Sequence, residues 1–289
     1  MNRLIILSLL AGLILIGLAS YQYVTLSDNK LHVIFCDVGQ GDAIVIRTPT
    51  NKTILYDGGP NERVLSCLSR YMPFWERSID LMLLSHPHAD HLNGLIHVLE
   101  RYRLLSFGSE ELANKTVEYR QLHRLLEEKD IEKRTLTSRD VYSLPDGVKL
   151  TVVGPTESFL KLTSPGGMIG ERKEFASLEV LITYGKNSFL LTGDSQATEI
   201  DQSTTQHDLS SISVLQVPHH GSHTGLTTAI LKQLKPSYAV ISVGKNSYGH
   251  PTRVTLDLLK EHDIPILRTD RGGDVEFISD GESLSIKRN

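Results

Sequence analysis

A chain of 289 residues with 40% hydrophobic and 22% charged side chains fits one large globular domain with a sizeable core. Its formal net charge of −4 excludes the general basic surplus of a nucleic-acid binder, so any such role rests on local cations or on bound metal. Cys36 and Cys67 form no CxxC pair; they read as buried apolar side chains, with a single disulfide after export left open.

The chain begins with Met1-Asn2-Arg3 and an uncharged run from Leu4 to Ala19 in which only Ser8 is polar. Sixteen residues are short for a spanning helix of about 20 and long for a signal core of roughly 7–15, so a cleaved signal peptide and a membrane anchor both fit. Gly17-Leu18-Ala19 suits cleavage, whereas Tyr21 and Tyr23 suit the interfacial end of an anchor. With Arg3 ahead of the run, the positive-inside rule places the remainder outside the cytoplasm. The expected division is a targeting segment over 1–28 and one domain over 29–289.

From Leu31 the pattern changes to short strands, Leu31–Cys36, Ala43–Ile46 and Thr53–Tyr56, separated by the turns Asp37–Asp42 and Asp57–Pro60. His32, in mid-strand, reads as structural. Another apolar strand, Ile79–Leu84, leads into His86-Pro87-His88-Ala89-Asp90-His91-Leu92-Asn93-Gly94. Two histidines one residue apart at a strand end chelate one cation, while Asp90 and His91, on the following turn, face a second. Imidazole and carboxylate donors without thiolate suit zinc first, with manganese and iron also compatible. This stretch resembles the signature of the metallo-β-lactamase superfamily, which implies an α/β fold, a four-layered αββα sandwich with one or two metals at its edge. The segments VGQGDA, ILYDGG and SHPHADHLNG narrow the resemblance to the hydrolase domain of ComEC-type competence proteins. It implies that Asp57 supports the histidine loop; spacing alone makes Asp57 a turn residue.

Helices are predicted over Leu95–Tyr102 and Asn114–Asp130, where His97 and His123 have no ligand neighbours. Strand Val148–Val153 and the loop Thr163–Gly170 follow. Many superfamily relatives draw a further first-metal histidine from about here, yet none stands between His123 and His207. The competence-type branch often lacks it too, and the strand Ala176–Val180 matches that branch. Strand Ser188–Thr192 then delivers Asp194 to a sheet edge, where a carboxylate can bridge two cations, and the resemblance implies that role. Strand Ser213–Val217 ends in Pro218-His219-His220-Gly221-Ser222-His223. His220 is favoured as second-metal ligand and His219 as an orienting or oxyanion-binding neighbour; Ser222 and His223 could touch substrate. Strand Tyr238–Val243 precedes the SVG-N-YGHP element, which makes His250 a catalytic candidate. Helix Thr252–His262 and a closing hairpin opened by Leu267–Asp274 complete the chain; His207 and His262 read as surface residues.

The expected function is an exported metal-dependent hydrolase. Its ligands are His86, His88, Asp90, His91, Asp194 and His220, with Asp90 also able to take a proton. The resemblance favours phosphodiesters, DNA or a phosphate-bearing surface polymer, with Lys245, Arg253, Arg268 and Arg271 as candidate phosphate contacts if they share one edge. A link to competence is implied by the branch, although a DNA channel of many membrane helices is not expected from the single apolar segment. A lactone or β-lactam hydrolase and a non-catalytic, metal-stabilised surface protein are the competing readings.

Overall fold

The protein's structure, a computed structural model, describes residues 3–110, 112–171 and 176–288. Met1 and Asn2, at the head of the predicted apolar segment, lie outside the described residues. That segment forms α1 (Arg3–Leu26), which continues through Tyr21 and Tyr23 to 24 residues instead of ending near Ala19. At 1.5 Å per residue it is about 36 Å long, enough to cross a hydrocarbon core. Its side chains are largely exposed, as an apolar helix without protein packing must be.

In chain order, the body opens with β1 (Leu31–Phe35), β2 (Ile44–Arg47), β3 (Thr53–Tyr56), β4 (Ser78–Leu84), β5 (Arg103–Ser109) and β6 (Glu132–Thr135). A second sheet takes β7 (Val141–Ser143), β8 (Lys149–Gly154), β9 (Glu179–Tyr184), β10 (Asn187–Leu191), β11 (Val214–Gln216), β12 (Tyr238–Ile241) and β13 (Ile266–Arg268). The hairpin of β14 (Val275–Ser279) and β15 (Leu284–Arg288) returns to the first sheet, whose order is β15-β14-β1-β2-β3-β4-β5-β6. The second runs β13-β12-β11-β10-β9-β8-β7.

Period-two alternation decides what each face buries. Leu31, Val33 and Phe35 of β1 meet Val180, Ile182 and Phe189 in the core between the sheets. Ile34 points the other way, under α2 (Arg63–Tyr71), α3 (Ala89–Arg101) and α4 (Val117–Glu128). A short α5 (Glu157–Thr163) precedes the second helical layer, in which α6 (Ala197–Gln206), α7 (Thr228–Leu234) and α8 (Arg253–Glu261) cover Leu190, Leu215 and Ile241. The result is the expected four-layered αββα sandwich, with both faces of its central strands buried.

Among the described residues, α1 and the stretch just after it are tied to this body, and Arg47 Nη2 donates to Leu26 O at the helix end. His32 joins Asp28 at 2.9 Å and Glu276 at 2.8 Å, and Phe74 N donates to Gln22 Oε1 at 2.9 Å. His32 is therefore structural, as read from sequence. Cys36 and Cys67 form a disulfide with Cα atoms 6.0 Å apart, pinning α2 to the end of β1. The bond closes a sequence separation of 31, which by chain entropy stabilises the fold by about 3–4 kcal/mol. Cys36→Ser/Cys67→Ser should lose that much in urea unfolding followed by circular dichroism; a loss below about 1 kcal/mol would contradict the assignment.

Candidate metal centre

Four strand ends build the centre. β10, β11 and β12 are mutually parallel, so the residues that follow them, Thr192 to Asp194, Pro218 to Gly221 and Ser242, emerge along one edge. β4 brings Ser85 and His86 to the same place from the first sheet. Leu178 N donates to Ser85 O at 2.7 Å and Tyr56 Oη donates to Leu178 O at 2.5 Å, locking the two sheets together there.

The histidine loop differs locally from its predicted form. α3 begins at Ala89, so Asp90 and His91 occupy its first turn and inherit the precision of a helix. The helix can sit so close because Gly94 has no side chain: a Cβ there would lie 1.8 Å from Gly58 O. Gly94 N donates to Gly59 O, and Gly58 N to His91 O at 2.7 Å.

Each of three imidazoles spends Nδ1 on a partner behind it and turns Nε2 towards Asp194. His91 Nδ1 lies 2.8 Å from Asp57 Oδ2, while Asp57 Oδ1 accepts from Ser85 N at 2.7 Å. Asp57 does this from a left-handed backbone, φ 58°. His220 Nδ1 donates to Ser242 O at 2.9 Å, and His86 Nδ1 lies 3.0 Å from Ser85 Oγ. Such partners fix tautomer and ring direction, the usual device behind metal-bound histidine. Asp57 thus occupies the supporting position that the resemblance implied.

In front, His91 Nε2 stands 3.3 Å and His220 Nε2 3.5 Å from Asp194 Oδ1, and Asp90 Oδ2 is 3.4 Å from His220 Nε2. His86 Nε2 lies 3.7 Å from Asp194 Oδ2 and 2.9 Å from His88 Nδ1. The structure therefore brings together His86, His88, Asp90, His91, Asp194 and His220, with His219 Nε2 3.6 Å from Asp194 Oδ2. The His250 ring is 5.5 Å from that of His219. His91 Nε2, His220 Nε2 and Asp194 Oδ1 are buried with no hydrogen-bond partner. Buried polar atoms left open at one point are what a cation would satisfy, so the donor set fits the zinc or manganese inferred from sequence.

Electrostatics agree. Burial alone would depress His91 and His220, but Asp194 with Asp57 and Asp90 around the first, and with Asp42 and Asp90 around the second, holds both well above the ordinary histidine range. Burial would raise Asp194, yet His220, His91 and His86 hold it well below the carboxylate range. Asp90 is lowered for the same reason, burial being outweighed by His91 and His220, which makes it a better ligand than proton acceptor. Burial pushes Asp57 up to about 6 despite His91. His86 is pushed down by burial and then by His91.

Two contributors had no distinct signal in sequence beyond the 37–42 turn. Asp42, buried, lies 3.7 Å from His91 Nδ1 and 3.6 Å from His220 Nδ1. Gln216 donates to Asp42 Oδ2 at 2.7 Å and accepts from Thr192 N and Gly193 N, joining β10 and β11 just before their ligands. The predicted phosphate cations Arg253, Arg268 and Arg271 have no contact with the residues of the centre among those described. Arg268 and Arg271 line a groove with Lys260 and Arg288, Arg268 being doubly held by Asp270, and Arg253 pairs with Asp257 on α8. Arg63 and Arg70 instead line a recess beside Asp37.

Asp57→Asn keeps shape but offers an amide N–H to His91 Nδ1 in place of an acceptor, forcing the ring proton onto Nε2. Zinc affinity, read by chelator competition with the fold checked by circular dichroism, should fall about 10–100-fold. Unchanged affinity would return Asp57 to a turn residue.

Comparison with known proteins bears on the whole chain. The family described as Metallo-beta-lactamase superfamily matches residues 36–245. Recombination protein 2 of Haemophilus influenzae is 28% identical over 99% of this chain and 34% of its own length. ComE operon protein 3 of Bacillus subtilis is 26% identical over 87% and 33%, and Competence protein ComA of Neisseria gonorrhoeae 27% over 92% and 35%. The chain thus spans about a third of the length of the curated relatives it matches. Among solved structures, Igni18, a metallo hydrolase from Ignicoccus hospitalis, aligns with TM-score 0.56 at 15% identity, covering 85% of this chain and 98% of that one. CmlA, a diiron β-hydroxylase from Streptomyces venezuelae, aligns with TM-score 0.54 at 14% identity, covering 90% and 54%. These two likenesses show the fold. Fold, histidine loop and family match agree: the chain belongs to the metallo-β-lactamase superfamily and, within it, resembles competence-type proteins.

Proposed function

We propose that this chain is a metal-dependent phosphodiesterase working outside the cytoplasm, with DNA as the favoured substrate. The observation that carries the reading is Asp194, whose two oxygens face separate sets of imidazoles, a layout suited to two cations side by side. His86, His88, Asp90, His91, Asp194 and His220 would hold divalent cations there, which would supply Lewis acidity towards a phosphoryl oxygen and a water. Zinc is the first choice and manganese the second.

The chain's own groups position and exclude. Asp57, Ser85, Ser242 and Gln216 fix the rings and strand ends from behind. His250 stands at the mouth, its backbone N donating to Asn246 Oδ1 and its ring lowered by burial, then by His219 and His220. A neutral imidazole there can take up or release a proton at the open edge. Tyr248, 74% exposed, has its ring 6.0 Å from His250, and an exposed aromatic at the rim suits stacking on an unpaired base. The names of the curated relatives, a recombination protein and competence proteins, support DNA over a surface polymer.

Export is supported by α1, long and apolar enough to span a membrane, and by the Cys36–Cys67 disulfide, which belongs to oxidising compartments. A reporter enzyme fused to the C-terminus should be active outside the cytoplasm. Activity confined to the cytoplasm would refute this part.

Zinc- or manganese-loaded protein should cleave single-stranded DNA and bis-p-nitrophenyl phosphate faster than nitrocefin or a lactone. His88→Ala should remove at least about 100-fold of that rate with the fold intact, given that a ligand is lost. Faster turnover of nitrocefin or the lactone, abolished by His88→Ala, would replace this function with a lactam or lactone hydrolase. Cleavage of a wall phosphate polymer but not DNA would move the substrate to the cell surface.

A further inference from the structure

We infer that His219 is a metal ligand, the third imidazole of the position that His86 and His88 open, so that two adjacent histidines serve opposite sides of Asp194. This rests on the metal-centre reading above but not on its substrate.

Asp194 divides the centre. Its Oδ1 faces His91 Nε2 at 3.3 Å and His220 Nε2 at 3.5 Å. Its Oδ2 faces His86 Nε2 at 3.7 Å and His219 Nε2 at 3.6 Å, with His88 Nδ1 2.9 Å beyond His86 Nε2. Donors about 2.0–2.1 Å from a tetrahedral ion lie roughly 3.3 Å from one another, close to the separations of His86 Nε2 and His219 Nε2 from Oδ2 and of His91 Nε2 and His220 Nε2 from Oδ1. On one side two nitrogens, His86 Nε2 and His219 Nε2, face Oδ2, with His88 Nδ1 next to the first. Asp90, His91, His220 and Oδ1 surround the other. The histidine missing from the stretch between His123 and His207 is thereby supplied from position 219.

The backbone shows how adjacent residues achieve this. In a strand their side chains would point to opposite faces. Here His219 has φ 51°, ψ 47° and His220 φ 53°, ψ 24°, followed by Gly221 at φ 83°. Left-handed non-glycine residues are strained and persist where the surroundings impose them. His219 N donates to Gly193 O at 3.0 Å, fastening the strained turn to the residue before Asp194. The strain has a direct consequence: both rings enter the cleft, one at each carboxylate oxygen.

The test uses the full chain in detergent micelles, stripped of metal and titrated with zinc. With ring-15N histidine, the His219 Nε2 resonance of the wild type should move to a metal-bound position in the same step as those of His86 and His88. In chelator competition, wild type should hold two equivalents, and His219→Ala should weaken one of them at least tenfold while the other is retained. Two zinc ions bound by wild type with a stationary His219 resonance would overturn the inference and leave the metal centre standing, as would an unchanged His219→Ala. Should the variant not fold, the wild-type resonance alone decides. Wild type that takes up no zinc would overturn both readings, whereas zinc uptake as described without phosphodiester cleavage would overturn only the proposed function.

Discussion

Asp194 is the group on which the rest of the centre depends. It is almost fully buried, and no apolar environment stabilises an isolated carboxylate there; it is held ionised only because imidazoles crowd both its oxygens. Of those imidazoles, His91 and His220 are in turn kept charged by Asp194 and by Asp42, Asp57 and Asp90 around them. Acidic groups outnumber the imidazoles so protonated, and three of the facing atoms lack a hydrogen bond. A cation completes such a site by taking the place of protons, which couples metal uptake to proton release.

Such a centre demands accuracy from the backbone, and the fold supplies it in two ways. Where a donor can ride on regular structure it does: Asp90 and His91 sit in the first turn of α3, held against Gly58 by the absence of a side chain at Gly94. Elsewhere the chain is forced into left-handed geometry, at Asp57, His219 and His220, and anchored by short hydrogen bonds to neighbouring strand ends. Together these explain why the supporting residues are buried while His219 and His250 remain partly open. The first group orients, and the second faces incoming solvent and substrate.

Much of this was legible in the sequence because each ligand follows an apolar strand, and strand ends on one edge must converge. That His86, His88, Asp90, His91, Asp194 and His220 come together is expected on that ground, whereas the bridging role of Asp194 and the αββα sandwich come from the resemblance. What sequence missed has physical causes. The extension of α1 to Leu26 was hidden because tyrosines at its end resemble a boundary. The start of α3 at Ala89 was hidden because histidine and proline spacing looks like a turn. Asp42 and Gln216 act through contacts over 174 positions of chain, which local pattern does not report. Separating His219 from His220 required φ and ψ, since sequence adjacency says nothing of a left-handed turn.

Substrate choice lies a layer further out than the ligands. Igni18 and CmlA share this fold at nearly equal TM-scores, yet one is a hydrolase and the other a diiron hydroxylase, so neither the sandwich nor the presence of metal selects the chemistry. Selection falls first to the donors, and the described cysteines here are consumed in a disulfide remote in role from the imidazole and carboxylate set. It falls next to the rim, built from loops that follow the strand ends. In this chain the rim presents His250 and Tyr248 beside the centre, while Arg63 and Arg70 line the recess by the 37–42 turn. The preference for an extended phosphodiester proposed above therefore rests on this rim, where an exposed aromatic ring stands beside the centre, and Arg70 in the recess is already paired with Asp274.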